Sequence, residues 1–124
     1  MDHTALMRSY YAAYNSEDES KLSPLLAEDV VLVSAAGEQR GREAYLATYR
    51  WMIGNFIDRM TPERVVATPD GAVVDIDDHL TARADIADFL DRPVRAGETM
   101  TLTLSGRHTI QNERITRIEI TPRN

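Results

Sequence analysis

Residues 9–33 read Ser-Tyr-Tyr-Ala-Ala-Tyr-Asn-Ser-Glu-Asp-Glu-Ser-Lys-Leu-Ser-Pro-Leu-Leu-Ala-Glu-Asp-Val-Val-Leu-Val. The stretch contains the end of an amphipathic helix, a polar turn, a short second helix and the first strand of a sheet. Tyr10 and Tyr14 are four positions apart, so one helical face carries two long aromatic side chains whose hydroxyls can reach partners while the rings are buried. Beyond Asp29 the chain reads mainly as sheet packed against that face.

Toward the N-terminus, Leu6, Tyr10, Ala13 and Tyr14 recur at helical spacing, with Met7 and Tyr11 widening the stripe, which predicts a first helix over Asp2–Asn15. Asn15-Ser16-Glu17-Asp18 ends it. A second helix begins at Asp18, or at Ser23 with Pro24 as its first residue, since both are good N-caps and proline fits a first turn; Leu22, Leu25 and Leu26 form its inner face. Val30–Ala36 is apolar and β-branched enough for a strand buried on both faces, ending at Gly37. After Gly41, Glu43 suits the positive end of a third helix that runs to about Asp58. Its core stripe is Tyr45, Tyr49, Met52, Ile53 and Phe56. Trp51 falls outside the stripe, facing either a cleft edge or a partner subunit.

The remainder alternates with period two. Arg64–Thr68 and Ala72–Arg83 flank Pro69-Asp70-Gly71, a turn sequence that predicts a hairpin. Val74, Ile76, Leu80 and Ala82 share one face of the second strand, and Asp78 is the polar residue among them. Asp75, Asp77, His79, Thr81 and Arg83 share the other face. Ala84–Gly97 loses the alternation; a connection this long suits a lid or binding segment, with Phe89 and Leu90 as lid or anchor. Thr99–Ile110 alternates again, placing Met100, Leu102, Leu104, Gly106, His108 and Ile110 together, so His108 is a second polar group on an apolar face. Gln111-Asn112-Glu113 turns the chain, and Ile115, Ile118 and Ile120 complete the sheet. Helices first and strands last predict one α+β domain over residues 1–124 with a mostly antiparallel sheet and a cavity between the layers.

Composition narrows the function. Cysteine is absent from the 124 residues, excluding disulfides, thiolate nucleophiles and Cys-ligated metals, and suiting a cytoplasmic location. Twenty acids against 14 bases give a formal charge of −6 with scattered arginines, so neither nucleic acid nor an anionic membrane is an expected partner. No long apolar run or basic leader suggests a membrane span or signal peptide. Asp75, Asp77 and His79 stand about 7 Å apart along one strand, too far to chelate by themselves, so no metal site is expected there. No cofactor motif is present, and none is expected.

The segments Tyr-Tyr-Ala-Ala-Tyr-Asn-Ser-x-Asp (Tyr10–Asp18), Leu-Leu-Ala-Glu-Asp-Val (Leu25–Val30), Gly-x-x-x-Gly-Arg-Glu-Ala (Gly37–Ala44) and Arg-Ile-Thr-Arg-Ile (Arg114–Ile118) resemble the NTF2-like superfamily, and within it the SnoaL-like and ketosteroid-isomerase-like branch. The resemblance spans nearly the whole chain. It implies a cone in which three helices close the concave side of a strongly curved sheet over a deep apolar pocket, commonly in homodimers. That pocket would draw on Tyr14, Ser34, Met52, Phe56, Phe89 and Leu102. The resemblance also places the isomerase's oxyanion tyrosine at Tyr10, its general base at Ser34 and its protonated-aspartate donor near Ser105 or Gly106. Two of these three parts are absent. The Asp-Arg-Asp arrangement of limonene-epoxide-hydrolase-like members also fails, because Ile76 occupies the arginine position and the second acid is missing.

These residues support two functional readings. In the first, Asp78, His108 and Tyr10 are catalytic: a carboxyl and an imidazole act as base and acid on a small apolar molecule whose oxygen Tyr10 polarises, as in a cofactor-independent isomerase, lyase or cyclase. In the second, a bulge at Asp77–Asp78 turns Asp78 to solvent, His108 is a core or interface histidine, and the chain is a non-catalytic ligand-binding or scaffold module. Either reading allows a homodimer through the outer sheet face bearing Thr99, Thr101 and Thr103.

Overall fold

The computed structural model describes residues 2–123. Helix α1 (His3–Asn15) is capped by Asp2, whose side chain accepts from the Ala5 amide at 2.6 Å. Both expected starts of the second helix are used: Asp18 caps α2 (Glu19–Leu22), and Pro24 lies in a following 3₁₀ turn, Ser23–Leu25. Strands β1 (Leu26–Ser34) and β2 (Gly37–Arg40) precede α3 (Arg42–Asn55). Then come β3 (Phe56–Thr68), β4 (Gly71–Ala82), the short pair β5 (Ile86–Phe89) and β6 (Arg92–Val94), β7 (Thr99–Gln111) and β8 (Arg114–Pro122).

The six long strands form one sheet in the order β2-β1-β8-β7-β4-β3, antiparallel except where β1 runs parallel to β8. The three helices pack on this open sheet, giving the expected α+β cone. Two pairs of contacts set α1 across it. His3 Nδ1 donates to the carbonyls of Thr68 and Gly71 at 3.0 and 2.8 Å, holding the helix start to the β3–β4 turn. At the other end Asn15 exchanges two 2.8 Å hydrogen bonds with the Met60 backbone.

Four boundaries differ from the sequence reading. The third helix stops at Asn55 instead of Asp58, so Phe56 and Asp58 belong to β3. Gly54 weakens the last turn, the Asn55 side chain donates to the Trp51 carbonyl, and Phe56 is already extended (φ −134°, ψ 150°). The first strand begins at Leu26, and only Leu26 and Val30 are fully covered; Leu32 and Ser34 face a cavity, so the strand is not buried on both faces. The stretch 84–97 contains a two-stranded hairpin. Leu90 and Asp91 both have positive φ (51° and 67°), the backbone that a tight two-residue hairpin turn requires. Finally, in the β3–β4 hairpin the irregularity falls on β3 between Pro62 and Arg64, while β4 and β7 pair without interruption from Gly71↔Thr109 to Thr81↔Thr99. A bulge suits Pro62, which has no N–H to give, on this edge strand. Asp78 therefore keeps its inward register.

Two apolar clusters result. The larger joins α1 (Leu6, Met7, Tyr11) to α3 and the middle of the sheet; the smaller gathers Phe56, Leu80, Ala82, Ile86 and Val94. Leu32, Met60 and Leu104 pack on the first cluster, and Met52, Phe89 and Leu102 on the second. All six line the same hollow, which lies between the clusters.

Candidate functional site

The hollow has a volume of about 630 Å³, within the range of pockets that take drug-sized molecules. Tyr10, Tyr14, Ser34, Met52, Asp78, Phe89 and Leu102 all contribute to its wall. Two expected residues do not. Phe56 is completely buried beneath Phe89 (ring centroids 4.7 Å apart) in the smaller cluster. His108 is covered by α1, with its Nε2 2.9 Å from the Tyr11 hydroxyl and the Tyr10 ring edge-on to it at 5.8 Å. Burial pulls the His108 pKa down to about 4, outweighing the opposite pull of the Ala72 and Gly106 backbone, so the ring is neutral.

The lining is mostly apolar, and its polar groups come in connected pairs. The hydroxyls of Tyr10 and Tyr45 hydrogen-bond to each other, from α1 to α3. The Tyr14 hydroxyl donates to Asp58 Oδ2 at 2.7 Å, and the Tyr49 hydroxyl donates to the Tyr14 carbonyl at 2.8 Å. Burial raises the pKa of Tyr10, Tyr14 and Tyr45 well above the ordinary phenol value, and that of Tyr49 to about 12, so all four hydroxyls are donors at neutral pH.

Asp58 is the residue the sequence reading missed. It is fully buried on β3, and its carboxyl lies beside that of Asp78 on β4, near enough to bear on its ionisation. In the strand register Asp58 faces Leu80 while Asp78 faces Met60, so the two acids are diagonal neighbours on the inner face. One oxygen of each, Oδ1, is buried with no hydrogen-bond partner among the described residues. Burial first, then the neighbouring Asp58 carboxyl, push the Asp78 pKa up to about 10. Asp78 is thus a neutral carboxylic acid on the cavity wall. A signal for Asp58 was available: Gly54-Asn55 can end a helix, after which Phe56, Asp58 and Met60 alternate inward.

The β5–β6 hairpin contributes Phe89 and Leu90 to the lining, and α3 contributes Thr48 and Met52. Trp51, 45% exposed, stacks on Phe89 (6.3 Å, 18° between planes), and the equally exposed Leu90 sits at the hairpin tip. Trp51 thus stands behind the cavity-lining Phe89 without lining the cavity itself. On the far side β8 pairs with β7 up to Leu104↔Pro122, and the Arg123 amide donates to the Thr103 carbonyl at 2.9 Å; Thr101 and Thr103 border the cavity here, and the Thr101 hydroxyl contacts His79. Arg123 also borders this side, but its guanidinium is bonded to Asp77 and the Leu104 carbonyl. Among the described residues, no group of three or more His, Asp or Glu side chains could hold a metal ion, and no helix is long and apolar enough to cross a membrane.

A profile of the SnoaL-like domain matches residues 7–118. The chain belongs to the SnoaL-like family. Solved structures superpose over nearly all of it. A protein from Pseudomonas putida KT2440 provisionally assigned as a polyketide cyclase is 27% identical with a TM-score of 0.85, over 99% of this chain and 92% of that one. A second such protein, from Sinorhizobium meliloti, is 26% identical with a TM-score of 0.70, over 94% of each chain. A hypothetical protein from Catenulispora acidiphila with a ketosteroid isomerase-like fold, solved with trimethylamine, is 14% identical with a TM-score of 0.77, over 94% of this chain and 83% of that one; it shares the fold alone. No curated protein matches the chain in sequence. Within this SnoaL-like domain, the tyrosines and the carboxyl pair are the groups able to move a proton or polarise a carbonyl.

Proposed function

We propose that this SnoaL-like protein is an enzyme that moves protons on a small, largely apolar, ketone-bearing molecule, in a reaction of the isomerase, lyase or cyclase kind performed by its own side chains. The observation that carries this reading is the Asp78 carboxyl, set in an otherwise apolar cavity wall and diagonal to a second buried carboxyl, Asp58, on the neighbouring strand. Enolisation needs a group to receive the α-hydrogen and donors that strengthen as charge builds on the carbonyl oxygen. Asp78 is the proton-exchanging group. Tyr10, held by Tyr45, is the donor to the oxygen. Of the three side chains expected to act, these two face the bound molecule, while His108 works one layer out by holding Tyr11.

The cyclase assignments of two relatives favour carbon–carbon bond formation as the outcome, since an enolate held in a closed apolar hollow is protected from quenching by water and can attack a second carbonyl of the same molecule. The same reading keeps the chain a homodimer through its outer sheet face.

The test is hydrogen–deuterium exchange at the α-carbon of a panel of cyclic ketones and linear polyketones in D₂O, followed by NMR. The intact chain accelerates exchange for at least one member, and Asp78→Asn loses 100-fold or more of that acceleration, on the order expected for one acid–base group, while keeping its fold. Binding without exchange overturns the enzyme reading in favour of a ligand-binding module. Full exchange in Asp78→Asn overturns the role of Asp78.

A further inference from the structure

We propose that Asp58 is a positioning residue that works through Asp78: the two carboxyls hold one proton between them, and passing it from Asp78 to Asp58 turns the cavity-facing group from proton donor into proton acceptor. This rests on the function proposed above and adds to it a second acid that never touches the bound molecule.

The geometry is specific. Asp78 lines the cavity and Asp58 does not, so the molecule in the hollow meets only one of the two. Both are essentially inaccessible to water, and both leave Oδ1 without another donor. Among the described residues no cation neutralises the pair: the Arg59 guanidinium, the nearest in sequence, goes to Glu17 and to the Asp58 main-chain carbonyl. The other titratable groups that face the pair are the α1 hydroxyls of Tyr10, Tyr11 and Tyr14 and the α3 hydroxyls of Tyr45 and Tyr49, all neutral. From β7 the inner face contributes Leu102 opposite Asp78 and, further along, neutral His108. Two carboxylates this close cannot both be charged in so apolar a setting. The Tyr14 hydroxyl donates to Asp58 Oδ2, and burial raises the Asp78 pKa, so at rest the proton sits on Asp78.

The step balances within the site. The Asp78 O–H bond breaks as an O–H bond forms on Asp58. The Asp78 carboxylate then takes the α-hydrogen of the ketone; the C–H bond breaks, its electron pair becomes the C=C bond of an enolate, and the oxygen accepts hydrogen bonding from Tyr10. The single negative charge has moved from the carboxyl pair to the enolate oxygen, and nothing is oxidised or reduced. Returning the proton from Asp78 to another carbon completes an isomerisation and restores the pair.

The experiment is a ¹³C NMR titration of the aspartate carboxyls of the full chain, which needs no substrate. In the parent protein the pair loses its two protons in widely separated steps. In Asp58→Asn the upper step disappears and Asp78 titrates more than one pH unit lower; in Tyr14→Phe, the variant that keeps both acids, the carboxyl shifts at neutral pH show the proton moved toward Asp58. An unchanged Asp78 titration in Asp58→Asn overturns the proposal. The pH profile of ketone exchange gives the second reading: Asp58→Asn moves the limb of the profile, whereas a rate lowered uniformly at every pH means Asp58 is only structural and also overturns it. A shifted titration with no ketone exchange by any variant overturns the function proposed above and the donor-to-acceptor step, while the shared proton stands.

Discussion

The Tyr14 hydroxyl on α1 donates to Asp58 Oδ2 on β3 at 2.7 Å, one residue before Asn15 ties the same helix to the Met60 backbone with two further hydrogen bonds. This joint sets the helix over the acid pair, and through Tyr10, one turn earlier, over the cavity. Helix placement and carboxyl protonation are therefore one structural feature.

Removing the hydroxyl tests the joint. Tyr14→Phe leaves Asp58 Oδ2 buried without that donor and lowers stability by about 1–3 kcal/mol, measured as a fall in the denaturation midpoint with an unchanged slope. A loss no larger than that of Tyr11→Phe would show that the Asp58 bond is not exceptional.

The Asp78 carboxyl keeps its proton in the folded chain to about pH 10 against an ordinary value of 3.8, so between these limits the folded state binds more protons than the unfolded one. Its stabilising contribution is complete below pH 4 and declines as pH rises toward 10, with a limiting slope of about 1.4 kcal/mol per pH unit. Asp78→Asn removes the decline, and the difference between parent and variant stability falls steadily from pH 5 to pH 9. A flat difference would mean that Asp78 ionises normally.

His108 has the opposite sign. Its folded pKa of about 4 lies below the ordinary 6.5, so its contribution is complete above pH 6.5 and is lost as pH falls toward 4. Between pH 4 and 6.5 it opposes the Asp78 term. Replacing it by glutamine removes this acid limb, and chemical denaturation across that window reads the change; if the two curves stay parallel, the histidine is not held neutral.

Two glycines should respond in opposite directions to alanine. A Cβ at Gly71 would lie 1.7 Å from the main-chain oxygen of His108, so Gly71→Ala must displace the β4–β7 ladder at the point where α1 is anchored and costs several kcal/mol. At Gly54, in the last turn of α3, nothing lies within 4 Å, and alanine stabilises by up to about 1 kcal/mol. Thermal melts of the two variants decide the matter.

Trp51 reports on the packing of Phe89. Phe89→Ala removes the ring stacked on it and exposes more of the indole to water, moving its emission to longer wavelength at a stability loss of about 1 kcal/mol. An unshifted spectrum would mean that the stack does not persist in solution.

Much of this site was legible because period follows from local geometry. The 3.6-residue recurrence of Leu6, Tyr10 and Tyr14 and the two-residue recurrence of Val74, Ile76, Asp78 and Leu80 each assign a face from neighbouring residues alone, and both assignments hold. Phe56 shows the limit. It continues the stripe of Tyr45, Tyr49 and Met52 as well as it begins the alternation with Asp58 and Met60, so the helix read three residues too far and Asp58 was counted as its end. His108 shows another limit: its face was readable, but whether cavity or helix covers that stretch of β7 depends on where α1 crosses the sheet.

By itself the sequence determined most element types, the periodic faces and the membership of Tyr10 and Tyr14 in the interior, since these depend on spacings of two to four residues, while the unbroken β4–β7 register decided that Asp78 points inward. Only the tertiary structure decided that Tyr10 meets Tyr45 across 35 positions, that Asp58 meets Asp78 across a strand pair, and that His108 lies under a helix beside Tyr11. The physical reason is that a carboxyl or an imidazole takes its charge from what lies within a few ångströms in space and from its depth below water, and both are set by how the helices rest on the sheet.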